Sequence, residues 1–150
     1  MRSAPDLEIH LGYWLRLVSN HVSGNFARRL QRHHMSVAEW VVLSLINSNQ
    51  DVTSARIVEL TGMTRGAISK VVEKLEIKQW IRRISNTMDG RIQTLSLTQQ
   101  GERILPTLVD ITDKNDEDFF NVLNRKEQET LRKLLLKLAQ AHHLTGTPID

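Results

Sequence analysis

Between Ser54 and Leu97 the sequence carries two short helical patterns and then changes its period, an order that few folds accommodate. Residues 54–61 place Ile57, Val58 and Leu60 inward on a short helix, and Gly62 follows where a left-handed closing residue is expected. Met63 and Thr64 open a second helix with one apolar stripe, Ile68, Val71, Val72 and Leu75. Two short helices joined by a tight glycine turn predict a helix-turn-helix. After Trp80 the helical period gives way to alternation. Runs at residues 81–85 and 92–97 are rich in β-formers, and between them Asn86, Asp89 and Gly90 mark a hairpin loop longer than two residues. A basic hairpin directly after a helix-turn-helix is a wing, and the combination is more specific than either part.

The flanks read as helices. From Leu7 to about Leu30, the residues Leu7, Leu11, Trp14, Leu15, Val18, Val22, Phe26 and Leu30 recur at steps of three and four. Ser36 and Glu39 then form a capping-box pattern, with Met35 and Trp40 at the positions of a hydrophobic staple. The helix they open, to about Asn47, is apolar nearly all round and should be buried. Past the wing, Thr98 caps a long helix bearing Ile104, Leu105, Leu108, Val109 and Ile111, with Pro106 as an expected bend. An acidic run at residues 113–118 reads as a solvated face. Asn124 and Glu127 repeat the cap spacing before a last helix with Leu131, Leu134, Leu135, Leu138 and Ala139, and residues 145–150 read as a frayed tail. The expectation is one domain over residues 1–150, mainly α with a small β-hairpin wing. About 35–98 form the winged helix-turn-helix, and about 7–34 and 99–145 are dimerisation helices. A winged core of roughly 60 residues cannot bury all those leucine stripes. They pack within the chain or across a two-fold axis; a homodimer is expected, setting two recognition helices in successive major grooves roughly 34–36 Å apart.

Composition narrows the function. Of 150 residues none is cysteine, which excludes disulfides, thiolate metal sites and cysteine nucleophiles. No apolar run approaches the roughly 20 residues of a membrane span and no signal-peptide core follows Met1, so a soluble, cytoplasmic protein is expected, with no membrane partner. The net charge is only +3, but residues 54–98 hold eight Lys and Arg against four acids, while residues 99–150 hold seven against nine. Positive charge gathered in the middle third is the footprint of a polyanion such as double-stranded DNA. The histidine pairs His33-His34 and His142-His143 point to different sides of a helix, and no His-x-x-x-His occurs, so no metal site is expected. Neither a phosphate loop nor a nucleophile elbow is present; no catalytic residue, cofactor or enzyme activity is expected.

The chain resembles the MarR (multiple antibiotic resistance regulator) family of bacterial winged-helix transcription factors over nearly its whole length. The resemblance rests on residues 11–16 (LGYWLR), 35–43 (MSVAEWVVL) and 64–76 (TRGAISKVVEKLE), and above all on the wing Asp89-Gly90-Arg91 running into Leu95-Ser96-Leu97-Thr98-Gln99-Gln100-Gly101. Two departures stand out. Gln79-Trp80-Ile81 replaces the usual Gly-Leu-Val/Ile, and Gly90 replaces the middle arginine of the Asp-Arg-Arg wing, removing a charge there.

Resemblance and residue chemistry agree on DNA. The outward face of the helix opened by Thr64 bears Arg65, Gly66, Ser69, Lys70, Glu73 and Lys74. Arg65 can pair bidentately with a guanine edge, while Thr64 and Ser69 can serve bases or phosphates. Gly66 allows close backbone approach. Lys70 and Lys74 suit phosphates, and so do the backbone N–H groups of the helix start at Ser36. Arg91 suits a narrow minor groove, and Asp89 would hold a nearby arginine in place. Arg82 joins Lys74 among the candidate contacts, and by residue chemistry these two and Arg83 are evenly balanced between contact and solvent; Arg28, Arg29 and Arg32 could extend the phosphate surface but read rather as a solvated helix end. The resemblance further implies a repressor released from DNA by a small anionic aromatic ligand, for which His10, Trp14 and Arg16 are candidate contacts. Taken by themselves, Trp14 fits the core stripe and Arg16 could pair with an acid. The alternative to a regulator is a winged-helix protein-interaction module with only sequence-indifferent DNA affinity.

Overall fold

The computed structural model describes residues 6–85, 88 and 90–149. They form α1 (Leu11–Gln31), α2 (Val37–Ser48), α3 (Ser54–Thr61), α4 (Arg65–Ile77), β1 (Ile81–Ser85), β2 (Gln93–Leu97), α5 (Gln99–Phe120) and α6 (Arg125–Ala141). Side-chain caps set five of the six helix starts. Ser36, Thr53, Thr64, Thr98 and Asn124 each accept the N–H three residues on, at 3.1, 3.1, 3.1, 3.0 and 2.9 Å. Such a cap contributes about 1 kcal/mol and fixes where the chain enters its helix. Gly62 closes α3 at φ 73°.

The core lies inside the winged part. Val42, Leu43 and Ile46 of α2 meet the α4 stripe Ile68, Val71, Val72 and Leu75, with Ile57, Ile81 and Leu95 closing the sides. Leu30 and Leu108 bring α1 and α5 onto the same cluster. β1 and β2 pair antiparallel from Ile81↔Leu97 to Ser85↔Gln93, which leaves Ile92 outside the ladder and 55% exposed. Val52 adds a single bridge on the far side of β2, its carbonyl accepting the Leu95 N–H at 2.8 Å.

Three expectations are corrected. The first helix does not begin at Leu7: Leu7–Ile9 is a separate 3-10 turn capped by Asp6, and His10 is extended before α1 starts. The apolar stripe of α1, which a winged core this small was not expected to cover, is buried only at its end, with Leu30 inside, Val22 and Phe26 half-buried, and Leu11, Trp14, Leu15 and Val18 exposed. The capping box at α2 is half-formed. Ser36 caps, but the buried carboxylate of Glu39 pairs with Lys78 at the end of α4, whose ammonium also donates to the His34 carbonyl. Finally, the acidic run on α5 is not simply solvated. Asp118 pairs with Arg29 of α1 at 2.6 Å and Lys114 at 2.9 Å, and the buried Asn115 donates to the Val22 carbonyl at 3.3 Å. The Arg29–Asp118 and Asn115–Val22 contacts dock α1 on α5, and the first gives Arg29 a partner rather than a free, solvated end.

Candidate nucleic-acid interface

α4 is two-faced. Its stripe is held in the core by the packing above, which turns Arg65, Gly66, Ser69, Lys70, Glu73 and Lys74 outward. Arg65, Lys70 and Lys74 form no ion pair among the described residues, whereas Arg56 at the α3 start is paired with Glu59 at 2.9 Å. Burial of one face and unneutralised charge on the other follow from the same four-residue spacing. Thr64 accepts the Ala67 N–H, which leaves its hydroxyl proton and one lone pair to offer a partner. A methyl group at Gly66 would meet nothing within 4 Å, so the chain's own packing makes no demand for glycine there.

Beside α4 lies a cavity of about 340 Å³ lined by Ser54, Ala55, Val58, Arg65, Ser69 and Arg83. It brings two arginines and two hydroxyls from α3, α4 and β1 to one place. Arg83 reaches it while its Nε donates to Glu76 on α4 at 2.8 Å, which fixes its direction. Strand neighbours point to opposite faces, so Arg82 lies on the other side, its Nε 3.4 Å from Ser96 Oγ across the hairpin. Both arginines are legible as wing residues in the sequence, but the hold of Glu76 on Arg83 appears only in the structure, because it depends on how the hairpin sits over α4.

The remaining candidates are dispersed. Ser36 is exposed, its hydroxyl taken up locally with Glu39. Arg91 is exposed in the loop of the wing, just past Gly90 at φ 67°. Asp89 lies outside the described residues. His10 and Arg16 are exposed, and Trp14 is 44% exposed with its indole N–H donating to the Glu8 carbonyl at 2.7 Å. Two positions apart on a helix, Trp14 and Arg16 leave α1 on nearly opposite sides. Among the described residues no three ligating side chains gather to hold a metal ion, and no helix is long and apolar enough to cross a membrane.

This geometry has close counterparts. Residues 33–92 match the family model described as MarR family. An uncharacterized HTH-type transcriptional regulator of Bacillus anthracis is 34% identical over 131 residues, spanning 83% of this chain and 85% of that one. The transcriptional regulator HosA of Escherichia coli is 26% identical over 103 residues, spanning 69% and 76%. Among solved structures, a probable transcriptional regulator from Pseudomonas aeruginosa superposes with a TM-score of 0.74 at 26% identity, covering 88% of this chain and 98% of that one. A cysteine-to-serine mutant of E. coli MarR complexed with operator DNA shares the fold at a TM-score of 0.75 and 23% identity, covering 91% and 99%. The fold and its exposed basic helix define a winged-helix transcriptional regulator. The chain belongs to the MarR family.

Proposed function

We propose that this regulator is a repressor that binds a pseudo-palindromic operator as a homodimer, with α4 in the major groove. The observation that carries this reading is the outer face of α4, where Arg65, Ser69, Lys70 and Lys74 stand exposed above a buried stripe. Arg65 reads a guanine edge, and Ser69 and the Thr64 hydroxyl proton serve a base or phosphate. Lys70, Lys74 and the α2 start at Ser36 take phosphates, and Gly66 lets the backbone approach. Arg83, held by Glu76 beside Arg65 and Ser69, joins them on the phosphate side; Arg91 enters the neighbouring minor groove. Arg82 reaches phosphate from the wing's other face.

The apolar residues left exposed on α1 and α6 support the homodimer, since a lone chain rarely leaves a large apolar patch in water. Family resemblance supports release of DNA by a small anionic aromatic ligand, with His10, Trp14 and Arg16 as contacts. A ligand that prefers a dimer with its recognition helices at the wrong separation weakens DNA binding by its differential affinity for that form.

Selection of duplexes from a random library, followed by salt titration on the best site and an unrelated one, tests the proposal. An inverted repeat with half-sites one helical turn apart, bound roughly 10³-fold above the control, is expected. Arg65→Ala should cost roughly 1–3 kcal/mol on that site and relax the preference at one base pair. Equal binding to both duplexes that vanishes steeply with salt would instead favour a winged-helix protein-interaction module.

A further inference from the structure

The segment after α6 does not trail into solvent. α6 ends in a left-handed turn, with His143 at φ 52° and the Leu144 N–H donating to the Ala139 carbonyl at 2.9 Å. The chain then reverses at Gly146, φ 102°, a conformation that L side chains rarely adopt. The reversal carries the Thr147 N–H to the carbonyl of Leu60, 3.1 Å away. Leu60 lies in the last turn of α3, where helix carbonyls have no partner inside the helix, so the tail supplies a donor that α3 itself lacks. Residues 145–149 and Thr61, Gly62 and Met63 line one shallow cavity of about 370 Å³, and Thr147 and Ile149 are half-buried.

The place of this contact matters more than its strength. α5 leaves the wing at Thr98, α6 returns over 17 residues, and α6 buries none of its own side chains. The tail fastens the end of that return to the last turn of α3, four residues before the cap of α4. We propose that residues 145–149 form a clasp that fixes α4 relative to α6, and so sets the half-site separation the protein accepts. The inference rests on the DNA-binding reading above. A single backbone hydrogen bond at the rim can open without unfolding the core, so the clasp can be released while both ends stay folded.

Gly146→Val tests this in the full chain, because a β-branched residue is strained at φ 102° whatever the space around it. A chain stopped after Thr145 serves as the second variant. Amide hydrogen exchange should show the Thr147 N–H protected in the wild type and unprotected in Gly146→Val. On operators whose half-sites are spaced one or two base pairs apart from the optimum, both variants should lose about tenfold of the wild-type spacing discrimination, within the usual range of coupling between sites. An unprotected Thr147 amide in the wild type overturns the clasp. So does unchanged spacing discrimination in a variant whose tail is released. Failure of the wild type to select any duplex sinks the DNA-binding reading and the spacing role with it, and that outcome is visible before either variant is made.

Discussion

Among the glycines, Gly101 has the least room for a side chain. A Cβ there would lie 2.0 Å from the Trp80 carbonyl oxygen, which already accepts the Thr98 N–H at 3.0 Å. Thr98 Oγ1 donates to the Gln79 carbonyl at 2.5 Å and accepts the Gly101 N–H, so the first turn of α5 is pinned flat against the end of the helix-turn-helix. Backbone rather than a flexible side chain stands in the way. Gly101→Ala should therefore cost about 3 kcal/mol, the upper end for overpacked sites, read as a fall in urea midpoint at unchanged slope. A variant as stable as the wild type would mean that α5 is free to lift off Trp80. The Leu-Thr-x-x-Gly motif was plain in the sequence, but its reason was not, because the obstructing carbonyl belongs to another element. The wing arginines show the same limit. Alternation places Arg82 and Arg83 on opposite faces, yet which face meets α3 depends on the hairpin's orientation over α4 and the hold of Glu76 on Arg83.

Among the elements, helix starts with a serine, threonine or asparagine were legible because the cap bond is local, three residues long. The start of α1 was not, since Leu7 keeps the helical spacing while Asp6 holds a separate 3-10 turn in front of it. Asp118 on α5 was also misjudged, its partner Arg29 lying on α1, 89 positions away. That pairing gives a pH prediction. Hydrogen bonding from Arg29 first, then from Lys114, holds the Asp118 carboxyl below the usual carboxylate range, and the same pairing raises Lys114. A carboxyl depressed in the folded state contributes stability above its unfolded pKa and loses it as pH falls through the folded value. The α1–α5 tie should thus hold at neutral pH and fail only in acid. The raised Lys114 contributes below its unfolded value and loses it only as pH rises through the folded one, far into base. In a carboxyl-carbon NMR titration the Asp118 midpoint should rise in Arg29→Gln, and by less in Lys114→Gln. An unmoved midpoint in Arg29→Gln would show that the pair does not persist in solution.

For the whole molecule, the surplus of leucine at both ends called for packing within the chain or across a two-fold axis, because a winged core this small cannot cover them. What the sequence could not apportion was how much of α1 the chain covers by itself. Leu30, Phe26 and Val22 meet α2 or α5, and coverage stops there. On α6 nothing is buried: Leu134, Leu135, Leu136 and Leu138 are 55%, 43%, 52% and 51% exposed. Leu134 and Leu138 stand one turn apart on the same face. Changing both to glutamate puts two charges where the proposed homodimer would bury them, while leaving the core of α2, α3 and α4 untouched. The doubly substituted chain should sediment as a folded monomer with an unchanged circular dichroism spectrum. Its affinity for a full inverted repeat should fall about 10²–10⁴-fold, the advantage that a second linked site usually confers, while a single half-site is bound as weakly as before. If the variant still sediments as a dimer, another surface joins the protomers. If the wild type is itself monomeric and binds the repeat no better than a half-site, the exposed leucines of α6 have a different partner and the two-fold reading of the operator fails with it.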